Sequence, residues 1–277
     1  MNPAGKALWF IESHFSSEIA LDDIASIACV SRYHLARAFE AETGRPVMRY
    51  MRERRLTETA RALANGAPDI LSVALDAGYS SHEAFTRAFR DQFGLTPEAV
   101  RSQGHVNNIQ LREPIKMNQT VIDSLETPRF ETREPMLIGG IGAHYNCDSS
   151  AAIPSQWQRF VPHLNHIHGQ VGKSAYGVRY NDDEDGNFDY LCGVQVSDFS
   201  RLPADWSRVR LPEQRYAVFI HRDHISAIRR TWSTIWNVWL PQSGHKLVDG
   251  PVFELYGEDF NSITGIGQVE IWIPIKA

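Results

Sequence analysis

Two stretches of this chain, fifty residues apart, are near-copies of one another, and that duplication narrows the possible folds more than any other feature. The first reads Ser31-Arg-Tyr-His-Leu35-Ala-Arg37-Ala38-Phe39 and closes on Gly44 and Pro46. The second reads Ser81-His-Glu-Ala-Phe85-Thr-Arg87-Ala88-Phe89 and closes on Gly94 and Pro97. In each, Ser suits the N-cap of a helix because its hydroxyl accepts an otherwise unpaired backbone N–H. Apolar residues four and eight positions on fall on one helical face. The glycine fits a left-handed C-terminal position, and proline follows where the helix cannot continue.

An apolar helical pattern precedes each copy: Leu21, Ile24, Ala25 and Ala28 before the first, Ile70, Val73, Ala74 and Ala77 before the second. The small residues allow close helix crossing, and a tight turn joins the two helices. Gly78 permits positive φ in the second turn, whereas the first has Cys29 at that place. Each unit reads as a helix-turn-helix. The polar residues Arg32, Tyr33, His34 and Arg37, and then Ser81, His82, Glu83, Thr86 and Arg87, are expected on the exposed side, where such side chains reach base edges and phosphates.

From about Leu8 to Arg101 the chain resembles the DNA-binding domain of the arabinose-regulator (AraC/XylS) family. The stretch Ala84 to Pro97 carries the resemblance, together with the connecting helix Tyr50-Met-Arg52-Glu-Arg54-Arg55-Leu56. The wording of the first copy is similar to the family's short stress and drug-resistance activators of the Rob and MarA type. The resemblance implies double-stranded DNA as partner, RNA polymerase as a further one, and two recognition helices in successive major-groove segments, ~34 Å apart. His82, Glu83 and Ala36 depart from glutamines in those relatives, so a different operator is expected.

The overall charge of −5 argues against a nucleic-acid protein, but its distribution does not. Between Val30 and Arg61 eight arginines face four glutamates, a local net of +4, which reads as phosphate contact. Cys29, Cys147 and Cys192 show neither a disulfide framework nor zinc-ligand spacing. No apolar run approaches the ~20 residues of a membrane span, and no secretory segment is evident, so a cytoplasmic protein is expected.

The expected organisation is two domains: an all-α double helix-turn-helix over residues 1–104, a linker over 105–126, and an α+β domain over 127–277. Part of the linker, around Val121 to Leu125, reads as a segment that could order against either neighbour. In the last domain, strands are expected at 136–143, 175–180 and 188–196, then at 215–220, 252–256 and 268–274. Helices through Trp157 and through Ile225 to Leu240 complete two β-α-β-β units in tandem, forming one sheet with its helices on one face.

The tandem, with Val252-Phe-Glu254-Leu-Tyr256 and the terminal Val-Glu270-Ile-Trp-Ile, resembles the gyrase-inhibitor-like effector-binding domain. That resemblance implies a cleft for a small hydrophobic, possibly cationic, effector, with a buried glutamate as counter-charge, and puts Glu254 in the role. The residues themselves support this in part. Glu254 lies inside an apolar strand where an unpaired carboxylate is costly. Alternation sets Tyr256 on its face. Trp236 and Tyr145 are further candidate ligand contacts, and Glu270 is the alternative acid. Trp232 and Trp239 read as core. A salt-bridged or rim position for Glu254 is the competing reading.

His163, His166 and His168, and His221 with His224, are the two histidine groupings; the first has no interleaved acid or cysteine and its spacing does not place all three on one face, so it reads as a solvated helix end rather than a metal site. No nucleophile motif points to an enzyme, and no cofactor is implied. The expected protein is a transcription regulator, of the activator kind, acting as monomer or homodimer. The alternatives left open are a ligand-sequestering or hydrolytic second domain, and a ligand-independent regulator.

Overall fold

The structure is a computed structural model that describes residues 2–67, 69–115, 125–146 and 148–276. The chain divides into two compact units, Met1–Leu35 with Arg45–Gln119, and Ala36–Gly44 with Thr120–Ala277. Cys147 and part of the expected linker (116–124, including Val121) lie outside the described residues.

The first unit is built on helices: α1 (Pro3–His14), α2 (Leu21–Ala28), α3 (Arg32–Thr43, whose last turns cluster with the second unit), α4 (Val47–Ala64), α5 (Ile70–Asp76), α6 (His82–Phe93) and α7 (Pro97–Gln103). The expected caps form. The Ser31 hydroxyl accepts the His34 N–H at 3.2 Å, and Ser81 accepts that of Ala84 at 3.1 Å. Gly94 ends α6 at φ 72°. Phe85, Phe89 and Phe93 stack along one face of α6 and bury against Leu56, Ala60 and Leu63 of α4. Each such ring contributes about 2–3 kcal/mol of burial.

Two expectations fail in this unit. Residues 105–115 are not a free linker: Val106, Ile109 and Leu111 pack on the α4–α6 core, and the Arg112 N–H donates to Thr57 at 2.9 Å. The arginine excess is mostly internal rather than phosphate-facing. Arg45 and Arg49 pair with Glu53, Arg54 with Glu12 and Glu58, and Arg61 with Glu58 and Glu113. Arg55 donates to the carbonyls of Phe15 and Ser17. Glutamates at helical spacing on α4 and neighbouring elements attract guanidinium groups before any phosphate does.

The second unit holds an eight-stranded antiparallel sheet: β1 (Arg129–Arg133), β2 (Met136–Tyr145), β3 (Gln170–Tyr180), β4 (Phe188–Val196), β5 (Ser207–Leu211), β6 (Gln214–His221), β7 (Val252–Tyr256) and β8 (Val269–Pro274). Helix α8 (Ile153–Phe160) follows β2, and α9 (Ile228–Thr234) follows β6. Helix α9 widens into a π-turn at Ile235–Trp239.

The strand order β1-β6-β8-β7-β3-β4-β2-β5 makes each repeat β-β-α-β-β rather than β-α-β-β. The leading strand of each repeat crosses to flank the other: β1 pairs with β6, and β5 with β2. Both leading strands are short and carry alternating charged residues, as suits sheet edges. Met136, Ile138, Val209, Tyr216, Val218, Phe253 and Trp272 meet in one cluster. Because β5 and β6 lie towards opposite ends of the strand order yet share that cluster, the sheet curls around it. The other face carries α8 and α9.

Candidate functional site

On the helix-bearing face a cavity of about 1210 Å³ opens between α8, α9 and the central strands, and Glu254 reaches into it from β7. The β3–β7 register sets Glu254 opposite Gly177, with Tyr256 opposite Ala175 on the same face. The carboxylate accepts three hydrogen bonds. Tyr190 donates to Oε2 at 3.0 Å, Tyr256 to Oε2 at 2.8 Å, and the Trp232 indole to Oε1 at 3.0 Å. All three donors are neutral. Among the described residues, no Lys or Arg forms an ion pair with Glu254.

Each donor is held from a different element. Gln156 of α8 donates to the carbonyls of Ile141 and Tyr190 at 2.7 and 3.0 Å, fixing β4 beneath the helix. Trp157 donates its indole N–H to the Tyr190 hydroxyl at 3.3 Å and meets the Tyr256 ring edge-on at 4.7 Å. Trp232 stacks on Trp236 one turn along, 5.6 Å away and nearly parallel. Burial and then the Glu254 charge push both Tyr190 and Tyr256 hydroxyls well above the usual tyrosine range, so they remain donors. Burial raises the Cys192 thiol, on the same strand as Tyr190, in the same way.

The candidate residues of the second unit separate clearly. Glu254 and Tyr256 are brought together. Trp236 lines the cavity but is buried in the apolar cluster with Phe219 and Ile271. Tyr145 does not line it: its pairing with Phe188 places it in the cluster around Phe160 and Trp206. Glu270 lies opposite Leu255, hence on the other face, where it pairs with Arg129 at 2.7 Å and accepts from Trp272. Trp232, read as core, is instead half-buried with its N–H on the acid. The histidines are engaged separately: His221 with Thr231, His168 with Arg201, and His163 edge-on to Trp206.

On α6, Glu83 and Arg87 are exposed, with Arg90 beyond them, and Thr86 is half-buried. His82 lies 3.4 Å from Glu98. On α3, Arg32 is exposed and Tyr33 half-buried, but His34 and Arg37 are buried, against expectation. Arg37 belongs with the second unit, where its guanidinium donates to Asp182 at 2.6 Å. A buried guanidinium needs such a partner.

The family model for the GyrI-like small molecule binding domain matches residues 126–276, more than half of the chain. The chain belongs to the GyrI-like family. A helix-turn-helix domain model matches residues 24–103. "Transcriptional regulator Rob" of Salmonella typhimurium is 33% identical over 140 residues, covering 50% of this chain and 47% of that protein. The chain thus spans about half the length of this curated relative. "Transcriptional regulator BrlR" of Pseudomonas aeruginosa is 25% identical over 209 residues, covering 70% of this chain and 77% of the other. Among solved structures, SAV2435 bound to tetraphenylphosphonium aligns with a TM-score of 0.46 and 20% identity, over 54% of this chain and 94% of that one.

Sequence reading of the GyrI-like unit missed Tyr190, Trp157 and Trp232 as parts of the site. Tyr190 stands on β4, two strands from Glu254, and no sequence pattern reveals that order. Trp232 carried a signal, a tryptophan at helical spacing, but the same signal describes a core residue.

Proposed function

We propose that this GyrI-like protein is a transcription regulator of the activator kind that binds a lipophilic cation at Glu254 and reads DNA through α6 and the start of α3. The observation behind the effector reading is the carboxylate of Glu254, which reaches into the cavity and is hydrogen-bonded by three neutral donors. A cation there gains charge attraction in a low-dielectric setting, together with cation–π attraction from Trp232 and Trp157. The exposed Glu83 and Arg87 at the start of α6, with Arg32 on α3, support the DNA reading.

The test measures operator affinity and ligand affinity together. An operator is first selected from random duplexes, and tetraphenylphosphonium then serves as the lipophilic cation. Glu254→Gln keeps the size but removes the charge and exchanges one accepting oxygen for a donor amide. At an effective dielectric of ~20, a unit pair 4 Å apart is worth about 4 kcal/mol before desolvation. Cation affinity should fall at least about tenfold, while ligand-free DNA binding stays intact. Coupling is reciprocal, so operator and cation must change each other's affinity by the same factor. Equal cation affinity with and without operator would remove the sensing reading and leave sequestration.

A further inference from the structure

Gly177 sits where three strands meet the acid. It pairs with Glu254 across β3–β7 and with Cys192 across β3–β4, so all three share the cavity face. Tyr190 lies two residues along β4 from Cys192 and is therefore diagonal to Gly177. To reach Glu254, its phenol must pass over β3. It does so directly above Gly177: a Cβ there would stand 2.1 Å from Tyr190 Oη, 2.9 Å from its Cζ and 3.0 Å from Glu254 Oε2. Any larger side chain there requires the Tyr190 phenol to move.

Glycine in a strand interior is unfavourable and marks close approach of another group. The φ of Gly177 is not in the left-handed region, so backbone conformation does not call for glycine here. The approaching group is the Tyr190 hydroxyl.

We propose that Gly177 is a positioning residue of the effector site: its missing side chain lets Tyr190 skip one strand and hold Glu254 in the orientation that receives a cation. The ligand part of this rests on the reading of Glu254 as counter-charge. Tyr190 Oη receives Trp157 from α8 and donates to Glu254 on β7, while Trp232 donates from α9. The hydrogen-bonded path across the cavity floor runs from the first repeat's helix to the second's, and it crosses β3 only at Gly177. A methyl group at that point displaces the phenol, pushes on Oε2 and breaks the path between the repeats.

The experiment uses the full chain with Gly177→Ala, Tyr190→Phe and the double variant, and Gly250→Ala as control, since a Cβ at Gly250 meets open space. Without ligand, the Trp232 indole N–H resonance, assigned through Trp232→Phe, reports the carboxylate. It should shift in Gly177→Ala and in Tyr190→Phe, and stay put in Gly250→Ala. Tetraphenylphosphonium affinity should fall about ten- to a hundredfold in each single variant, the scale of one hydrogen bond to a charged group. The double variant should be no worse than the poorer single, because both remove the same bond.

An unmoved indole resonance in Gly177→Ala, or additive losses, would overturn the proposal. If the wild-type chain does not bind the cation, the effector reading fails, and the indole resonance alone decides the role of Gly177. If Gly177→Ala does not fold, Tyr190→Leu in the same chain removes the clashing phenol and should restore folding. Failure to restore it would overturn the proposal too.

Discussion

Arg54→Met is a direct test of what holds the helical unit together. Arg54 is 3% exposed, and its guanidinium makes five hydrogen bonds. Three go to Glu12 of α1, at 2.9, 3.1 and 3.0 Å, one to Glu58 at 3.1 Å, and one to the Arg112 carbonyl at 2.8 Å. Tyr50 donates to the same Glu12 at 2.6 Å and accepts the Ile115 N–H, so one network ties α1, α4 and the 105–115 segment. Met keeps much of the apolar stem and removes the donors. Breaking a buried ion pair by deleting one partner costs about 3–5 kcal/mol. Glu12 keeps a quarter of its side-chain surface in water, at 25%, and can rehydrate, which lowers the expectation to about 2–4 kcal/mol. For a unit of this size that corresponds to a fall in Tm of roughly 10–25 °C. Far-UV circular dichroism, which weights the helical unit, follows the melt. Glu12→Gln in the Arg54→Met background should cost much less than in the wild-type chain, because the two share one interaction. A loss within about 0.5 kcal/mol for Arg54→Met, the range of an ordinary surface substitution, would refute the network's role.

Arg87→Ala should weaken specific operator binding by about 1–3 kcal/mol if its guanidinium contacts a base, and anisotropy titrations across operator variants will tell base contact from an even, phosphate-type loss. Cys29→Gly should stabilise the helical unit by up to about 1 kcal/mol, because Cys29 occupies the left-handed region at φ 60° where an L side chain is strained; a denaturant midpoint that does not rise would contradict this. Folding stability should decline as pH rises above the ordinary tyrosine value of 10.0, since burial raises Tyr216 to about 12 in the folded chain. Between those values the folded state holds a proton that the unfolded state has lost, so stability is complete below 10.0 and lost on the way up; Tyr216→Phe should flatten the alkaline limb of a urea-stability profile.

The local chemistry of the helical unit was legible in the sequence. Ser31 and Ser81 cap, Gly94 turns and the apolar spacing of Phe85 and Phe89 fixes a buried face, because each effect acts within a few residues of its cause. The same holds for Glu254 and Tyr256, whose shared face follows from strand alternation alone. Long-range pairing was not legible. The edge strands β1 and β5 are short, arginine-bearing segments whose strand character comes from their partners β6 and β2. Arg37 read as an exposed DNA contact, yet it is buried against Asp182, which lies 145 residues away in the chain. The four residues that make the acid site, Glu254, Tyr256, Tyr190 and Trp232, come from three separate elements. The sequence by itself indicated the two helix-turn-helix units and six of the eight strands of the sheet, with the faces that are apolar, since propensity and periodicity are local. Only the tertiary structure decided that Tyr190 crosses β3 at Gly177 to meet Glu254, because strand order and register depend on packing among segments far apart in the chain.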